Sequence, residues 1–134
     1  MNVHAVILAA GVSSRFKANR NKILTSFQDK ALIQHLLETY IKSNIFNTIL
    51  LLINTRDRIF LEEMFKNKTY PLEVAMIEGG ETRHGSEEKA LEYLQEEGVA
   101  PNDLISIHDA ARAFLNIDLL SKLISTAKEY KSSV

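Results

Sequence analysis

Apolar residues along the chain fall into two alternating kinds of run. Residues 3–8 and 47–54 (VHAVIL, NTILLLIN) are short, rich in Val, Ile and Leu, and too uniformly apolar to alternate, and 72–78 and 103–108 (LEVAMIE, DLISIH) are two further short strand-like runs. That pattern predicts strands buried on both faces of a parallel sheet. Between them apolar residues recur at helical spacing. Leu32, Leu36, Leu37, Tyr40 and Ile41 mark a helix over 30–43, Ile59, Phe60, Met64 and Phe65 one over 56–67, and Ala90, Leu91 and Leu94 one over 86–97. A fourth helix is expected over 115–130, and each should turn its named residues inward. Ser86 is the expected N-cap of the third helix, and Asn116 or Asp118 that of the fourth. His35, among apolar neighbours on the first helix, reads as a packed or capping histidine rather than a catalytic one. Alternation of strand and helix implies right-handed crossovers and a doubly wound, mostly parallel α/β sheet of Rossmann-like type.

Ligands of such sheets sit beyond the carboxyl ends of the strands, where the strand order reverses. Three unusual loops follow strand ends here, AAGVSSR, EGGETRHGS and HDAAR, and they should meet at one site. In the first, Ala9, Ala10 and Gly11 remove side-chain bulk and free the backbone N–H groups. Arg15, Lys17, Arg20 and Lys22 follow as an anion cradle. It is not a Walker loop, since no lysine follows a glycine with Ser or Thr behind it. The competing reading is a solvated basic turn. In the second loop Gly79-Gly80 permits close backbone approach, with Glu81, Thr82, Arg83 and Ser86 supplying polar groups able to read a base edge. An ordinary Gly-Gly turn before a capped helix is the alternative. In the third, Asp109 beside small residues suits a ribose hydroxyl or a divalent metal facing phosphates, against a simple turn-capping role.

Composition narrows the function classes. A chain of 134 residues with no internal repeat or linker is expected to be a single nucleotide-binding domain over 1–134. A net charge of -1 with 25% charged residues exerts no global pull on nucleic acid or membrane, so any anion site must be local. With no cysteine there is no disulfide or thiolate chemistry. The runs AVILAA and TILLLI are too short to span a bilayer, and MNVHAV lacks the cationic lead of a signal peptide. A cytoplasmic location is therefore expected.

Taken together, Ile7-Leu8-Ala9-Ala10-Gly11 with Arg15 and Lys22, Gly79-Gly80-Glu81-Thr82-Arg83 with Ser86, and His108-Asp109-Ala110-Ala111-Arg112 resemble the 2-C-methyl-D-erythritol 4-phosphate cytidylyltransferases of isoprenoid synthesis. The first motif is shared with many sugar-nucleotide pyrophosphorylases; HDAAR after GG-x-x-R-x-x-S is far more specific. The resemblance implies a fold of the nucleotide-diphospho-sugar transferase type. It also implies transfer of CMP from CTP to a sugar-alcohol phosphate, with release of pyrophosphate and Mg²⁺ on the triphosphate. Arg15 and Lys22 would be catalytic, acting on charge at the α-phosphate. Ala9, Ala10, Gly11, Gly80, Glu81, Arg83 and Ser86 would bind nucleotide, and Asp109 and Ala110 would close the ribose and metal side, Asp109 as the metal ligand. Ser13, Asn21 and Ala113 stand where the family usually has glycine, proline and proline. The family also continues past residue 134, into a dimerisation arm and further sugar-phosphate contacts, so a truncated chain is expected whose full-length form is a homodimer. A ribitol-5-phosphate cytidylyltransferase is the near alternative, disfavoured by Ala110-Ala111, and a nucleotide-binding domain without turnover is the distant one.

Overall fold

The computed structural model describes residues 1–10, 26–27, 30–66, 68–110 and 117–130. The elements run β1 (Val3–Ala9), a small antiparallel pair β2 (Ser26–Phe27) and β3 (Lys30–Ala31), α1 (Leu32–Lys42), β4 (Thr48–Ile53), a 3-10 turn (Thr55–Asp57), α2 (Arg58–Phe65), β5 (Glu73–Glu78), α3 (Arg83–Glu96), β6 (Leu104–Asp109) and α4 (Ile117–Tyr130). The four long strands make one sheet in the order β5-β4-β1-β6, with every pair parallel. From β1 the chain steps outward to β4 and β5, and α3 then carries it back to the far side of β1. With a constant crossover hand, that reversal moves α3 to the opposite face. Accordingly α1, α2 and α4 cover the face built from Ala5, Ile7, Ile49 and Leu51. Among the described residues α3 alone covers the other, where Ala90 and Leu94 meet Val6, Leu8, Leu50 and Leu52. β1, paired on both edges and covered on both faces, is buried at all seven residues. This is the doubly wound parallel sheet that the uniform apolar runs predict.

Local sequence sets the helix ends. Ala31 has no side-chain acceptor to cap α1, but its N–H donates to Gln34 Oε1 at 2.8 Å. After α1, Asn44 adopts the left-handed conformation at φ 55. After α3, Gly98 does so at φ 85, and Gly98 N and Val99 N donate to the carbonyls of Gln95 and Leu94. Those two bonds are a complete Schellman motif, which satisfies carbonyls the helix would otherwise leave open.

Several expected details differ. Leu61 is the buried anchor of α2, with Met64 and Phe65 on the same face at the next turn. Ile59 lies two residues before Leu61, rotated by about 200°, and is 79% exposed; Phe60 is 50% exposed. The inward set is therefore Leu61, Met64 and Phe65, not Ile59 and Phe60. On α3, Ala90 and Leu94 are inward while Leu91, one residue past Ala90 and so on another face, is exposed. α3 also starts earlier than expected: Thr82 is its N-cap, its Oγ1 accepting from Gly85 N at 2.9 Å, which leaves Ser86 inside the helix. Lys30, expected to open α1, belongs instead to β3 and reaches Glu38 Oε1 at 2.9 Å. The cap of α4 at Asn116 lies outside the described residues.

At the amino-terminal edge of the sheet Asp103 ties β1 to the entry of β6. Its carboxylate accepts from Asn2 N at 2.9 Å, from Ala100 N at 3.1 Å, and is 3.0 Å from His4 Nε2. The His4 hydrogen bond, aided by that from Asn2, holds the Asp103 carboxyl down at about 2, below its ordinary 3.8. A depressed carboxyl stabilises the fold fully above its unfolded value and loses that contribution as pH falls toward the folded one.

Two measurements check these assignments. Leu61→Ala should destabilise by about 2–5 kcal/mol, the range for a buried leucine, while Ile59→Ala should stay within about 0.5 kcal/mol. Urea melts of both variants decide the phase of α2. In urea melts across pH, Asp103→Asn should be less stable than the parent at pH 6, and the gap should narrow between pH 4 and 2. A gap independent of pH there would remove the linkage to Asp103.

Candidate active site

The carboxyl ends of all four long strands open on one edge, and short hydrogen bonds extend the ladders beyond the last paired residues. Gly79 N donates to Ile53 O at 2.8 Å, joining the exits of β5 and β4. Ala110 N donates to Leu8 O at 3.0 Å, joining those of β6 and β1. Asn54 joins β4 to β1, its Nδ2 donating to Ala10 O at 3.4 Å while its Oδ1 accepts from Arg56 N at 3.0 Å. On this platform lies an open cleft of about 470 Å³, lined by Ala10, Asn54, Thr55, Gly79, Gly80, Glu81 and Lys89. Convergence of the loops after β1, β5 and β6 is thus the observed arrangement for the residues described.

The Gly79-Gly80 step is required by the chain's contact with itself. A Cβ on Gly79 would collide with Ala10 Cβ and come within 2.8 Å of Ser86 Oγ. One on Gly80 would lie 2.7 Å from the carbonyl carbon of Gly85 and 3.0 Å from Ser86 N, both backbone atoms that cannot swing away. Ser86, 3% exposed, accepts a hydrogen bond from Gly80 N at 3.0 Å. The same serine that fails as a helix cap therefore holds the glycine loop down onto the first turn of α3. That turn faces the cleft with the positive end of the helix dipole.

Arg83 links the second and third loops. Its Nε is 3.1 Å from Glu87 Oε1 and its Nη1 3.6 Å from Asp109 Oδ2, with the arginine side chain 59% exposed. Lys89 Nζ donates to Gly79 O at 3.4 Å. Two cations therefore stand among Glu81, Glu87 and Asp109, so this part of the edge carries no excess positive charge. Binding a triphosphate needs cations from elsewhere, and Arg15, Lys17, Arg20 and Lys22 are the nearest in sequence to Ala10.

Of the expected site residues, Ala10, Gly80 and Glu81 line the cleft. Arg83, Ser86 and Asp109 stand around it through the contacts above. Ala9 and Ala110 are buried, with side chains in the hydrophobic core under α1 and α4, so their backbones, not their methyl groups, face the ligand edge. Gly11, Arg15 and Lys22 lie outside the described residues. Asn54, Thr55 and Lys89 were not anticipated. The signal for the first two was available, because β4 is parallel to β1 and its carboxyl end had to open on the same edge. Among the described residues no group of three or more His, Asp or Glu side chains is placed to hold a metal unaided. Asp109, its side chain 44% exposed, could offer one carboxylate to a divalent metal whose other ligands are phosphates and water.

A family model described as IspD: 2-C-methyl-D-erythritol 4-phosphate cytidylyltransferase matches residues 3–134. The chain is 34% identical over 129 residues to the bifunctional enzyme IspD/IspF of Pelagibacter ubique, covering 96% of this chain and 32% of that one. It is 29% identical to the 2-C-methyl-D-erythritol 4-phosphate cytidylyltransferase of Bacillus mycoides, covering 96% and 55%. The chain thus spans about half the length of the curated single-function relatives it matches, and a third of the bifunctional one. Its fold matches the crystal structure of 4-diphosphocytidyl-2C-methyl-D-erythritol synthase from Anaerococcus prevotii with a TM-score of 0.75 at 20% identity, covering 96% of this chain and 52% of that one.

Ser86→Ala should release the glycine loop at a cost of about 1 kcal/mol, the usual worth of one such hydrogen bond. Gly80→Ala should cost more, because backbone must move. Denaturant melts give the stability order, and faster amide hydrogen exchange at Gly79 to Thr82 in both variants locates the change. Unaltered exchange there would exclude the Ser86 latch.

Proposed function

Because the chain belongs to the 2-C-methyl-D-erythritol 4-phosphate cytidylyltransferase family, we propose that it provides the nucleotide side of a cytidylyl transfer in isoprenoid synthesis. In that reaction a phosphate oxygen of 2-C-methyl-D-erythritol 4-phosphate attacks the α-phosphorus of CTP. The new bond forms as the bond to the β-phosphate oxygen breaks, and pyrophosphate leaves. The observation that supports this reading most directly is the meeting of the β1, β4 and β5 ends around one cleft, with the glycine loop latched by Ser86 at the start of α3.

Each group has a physical task. Ala10 and Gly80 leave one side of the cleft free of bulky side chains, where a flat pyrimidine can lie against backbone. Ser86 fixes Gly80, and Arg83 braces Asp109 at the ribose side. Arg15 and Lys22 meet negative charge as it builds on the α-phosphate, which makes them the catalytic pair, with Gly11 opening the triphosphate loop. Transfers of this kind depend chiefly on positioning and on fixed cations. Mg²⁺, carried with the triphosphate and held by Asp109, would neutralise phosphate charge when bound. Among the described residues no helix is long and apolar enough to cross a membrane, and we place the reaction in the cytoplasm.

Calorimetric titration of the chain with CTP, UTP, ATP and GTP tests the nucleotide assignment. CTP should bind best, and equal or tighter purine binding would overturn it. In a form of the protein as long as its relatives, Arg15→Ala and Lys22→Ala should each lower turnover on the order of a hundredfold, with CTP affinity nearly unchanged. Loss of CTP affinity alone would make these cations ground-state binders. Binding without any acceptor-dependent pyrophosphate release would favour a nucleotide-binding domain.

A further inference from the structure

The opposite edge of the sheet holds a second, smaller cavity, of about 220 Å³, beneath the carboxyl end of α3. Its origin is topological. Three helices share one face of the sheet, but among the described residues only α3 covers the other, and its Schellman turn at Gly98 ends it short of the amino-terminal edge. The uncovered rung of the sheet is polar. Glu73, Thr48 and His4 lie side by side in register across β5, β4 and β1, one step before the apolar rung of Ala75, Leu50 and Val6.

The wall of this cavity is built rather than incidental. His4 and Asp103 line it with side chains only 7% and 6% exposed. His4 Nδ1 lies 2.7 Å from Thr48 Oγ1 and Nε2 lies 3.0 Å from Asp103 Oδ2, so both ring nitrogens are engaged. Asp103 also accepts from two backbone N–H groups. This closed chain leaves Glu73, Glu97, Tyr93 and the Asn2 amide as the further polar side chains of the lining, which carries two more carboxylates and no lysine or arginine. The carbonyl end of the α3 dipole adds negative potential. Desolvation, with Glu97 and Glu73 close by, pushes the Tyr93 hydroxyl up from its ordinary value. Leu50 and Leu94 supply an apolar floor.

We propose that this cavity is a binding site for a small organic ammonium ion, with the cationic head between Glu73 and Glu97 and a short apolar body over Leu50 and Leu94. Three features fix that class. The acceptors exceed the donors, which selects a donor-rich cation over an anion. Tyr93 in the lining is an aromatic residue, a type that attracts cations through its ring. The volume lies below the roughly 300 Å³ at which pockets for drug-sized ligands begin, so the occupant is fragment-sized. The assignment does not depend on the transfer reaction, since the cavity and the nucleotide cleft lie at opposite edges of the sheet.

Phenethylammonium is a suitable probe, with phenethyl alcohol and phenylacetate as its neutral and anionic counterparts. In a ¹H–¹⁵N titration of the 134-residue chain the ammonium should shift the amides of Gly98, Val99 and Asp103. CTP should not displace it. The surface variant Glu73→Gln with Glu97→Gln should weaken it about fivefold, the size of two exposed ion pairs. The alcohol should bind the parent as weakly as the ammonium binds that variant, and phenylacetate should not bind. Ala75→Leu, which fills the cavity, should abolish binding while the chain stays folded. Equal binding of alcohol and ammonium, undiminished binding to the double glutamine variant, displacement by CTP, or shifts mapping elsewhere would each overturn the assignment, as would failure of the ammonium to bind.

Discussion

Everything at both edges of the sheet depends on the pairing of β1 with β4 on one side and β6 on the other. A strand hydrogen-bonded along both edges and covered on both faces has no freedom of register, because a slip by one residue would exchange its two faces. Ala5 and Ile7 would then move from the core beneath α1 to the side of α3, and Val6 and Leu8 the other way. Residues far apart in sequence are thereby held within hydrogen-bond reach. Gly79 meets Ile53, Ala110 meets Leu8, and Asp103 meets His4. The cleft at one edge and the cavity at the other are two consequences of one register.

Charge is unevenly distributed between the described strand ends and the sequence that follows Ala10. The strand ends and the first turn of α3 supply shape, backbone donors and a braced carboxylate, but their own cations are matched by neighbouring acids. The stretch that follows Ala10 carries Arg15, Lys17, Arg20 and Lys22 close together in sequence. Such a division suits a reaction whose demand for positive charge arises at the phosphates rather than at the base.

The fold was legible because uniform apolar runs alternating with 3.6-residue periodicity admit few arrangements. The rule that ligands gather at carboxyl ends carried the loops after β1, β5 and β6 to one place. Finer features were less legible, each for a physical reason. Within RDRIFLEEMF almost every register shows apolar residues, so periodicity alone did not separate Leu61 from Ile59 and Phe60; burial against the sheet did. Ser86 and Thr82 both precede acidic or polar helix residues, and the choice between them lay in the Gly80 contact, a tertiary interaction. The triad of Thr48, His4 and Asp103 joins residues from three separate segments and has no local signature at all.

The central position of the first strand also has a consequence for the order in which the structure can form. Val3 pairs in register with Leu104, and Asn2 N donates to the Asp103 carboxylate across 101 positions. During synthesis β1 leaves the ribosome well before β6, and one of its two edges stays open until β6 has emerged. Pairings of such long range are slow to close and leave apolar strand edges exposed meanwhile. β1, β4 and β5 with their helices can assemble early. The Arg83 contact with Asp109, and the carboxylate of the His4 network, form only once β6 has docked. Both edges should therefore take their described form together with β6, not gradually along the nascent chain.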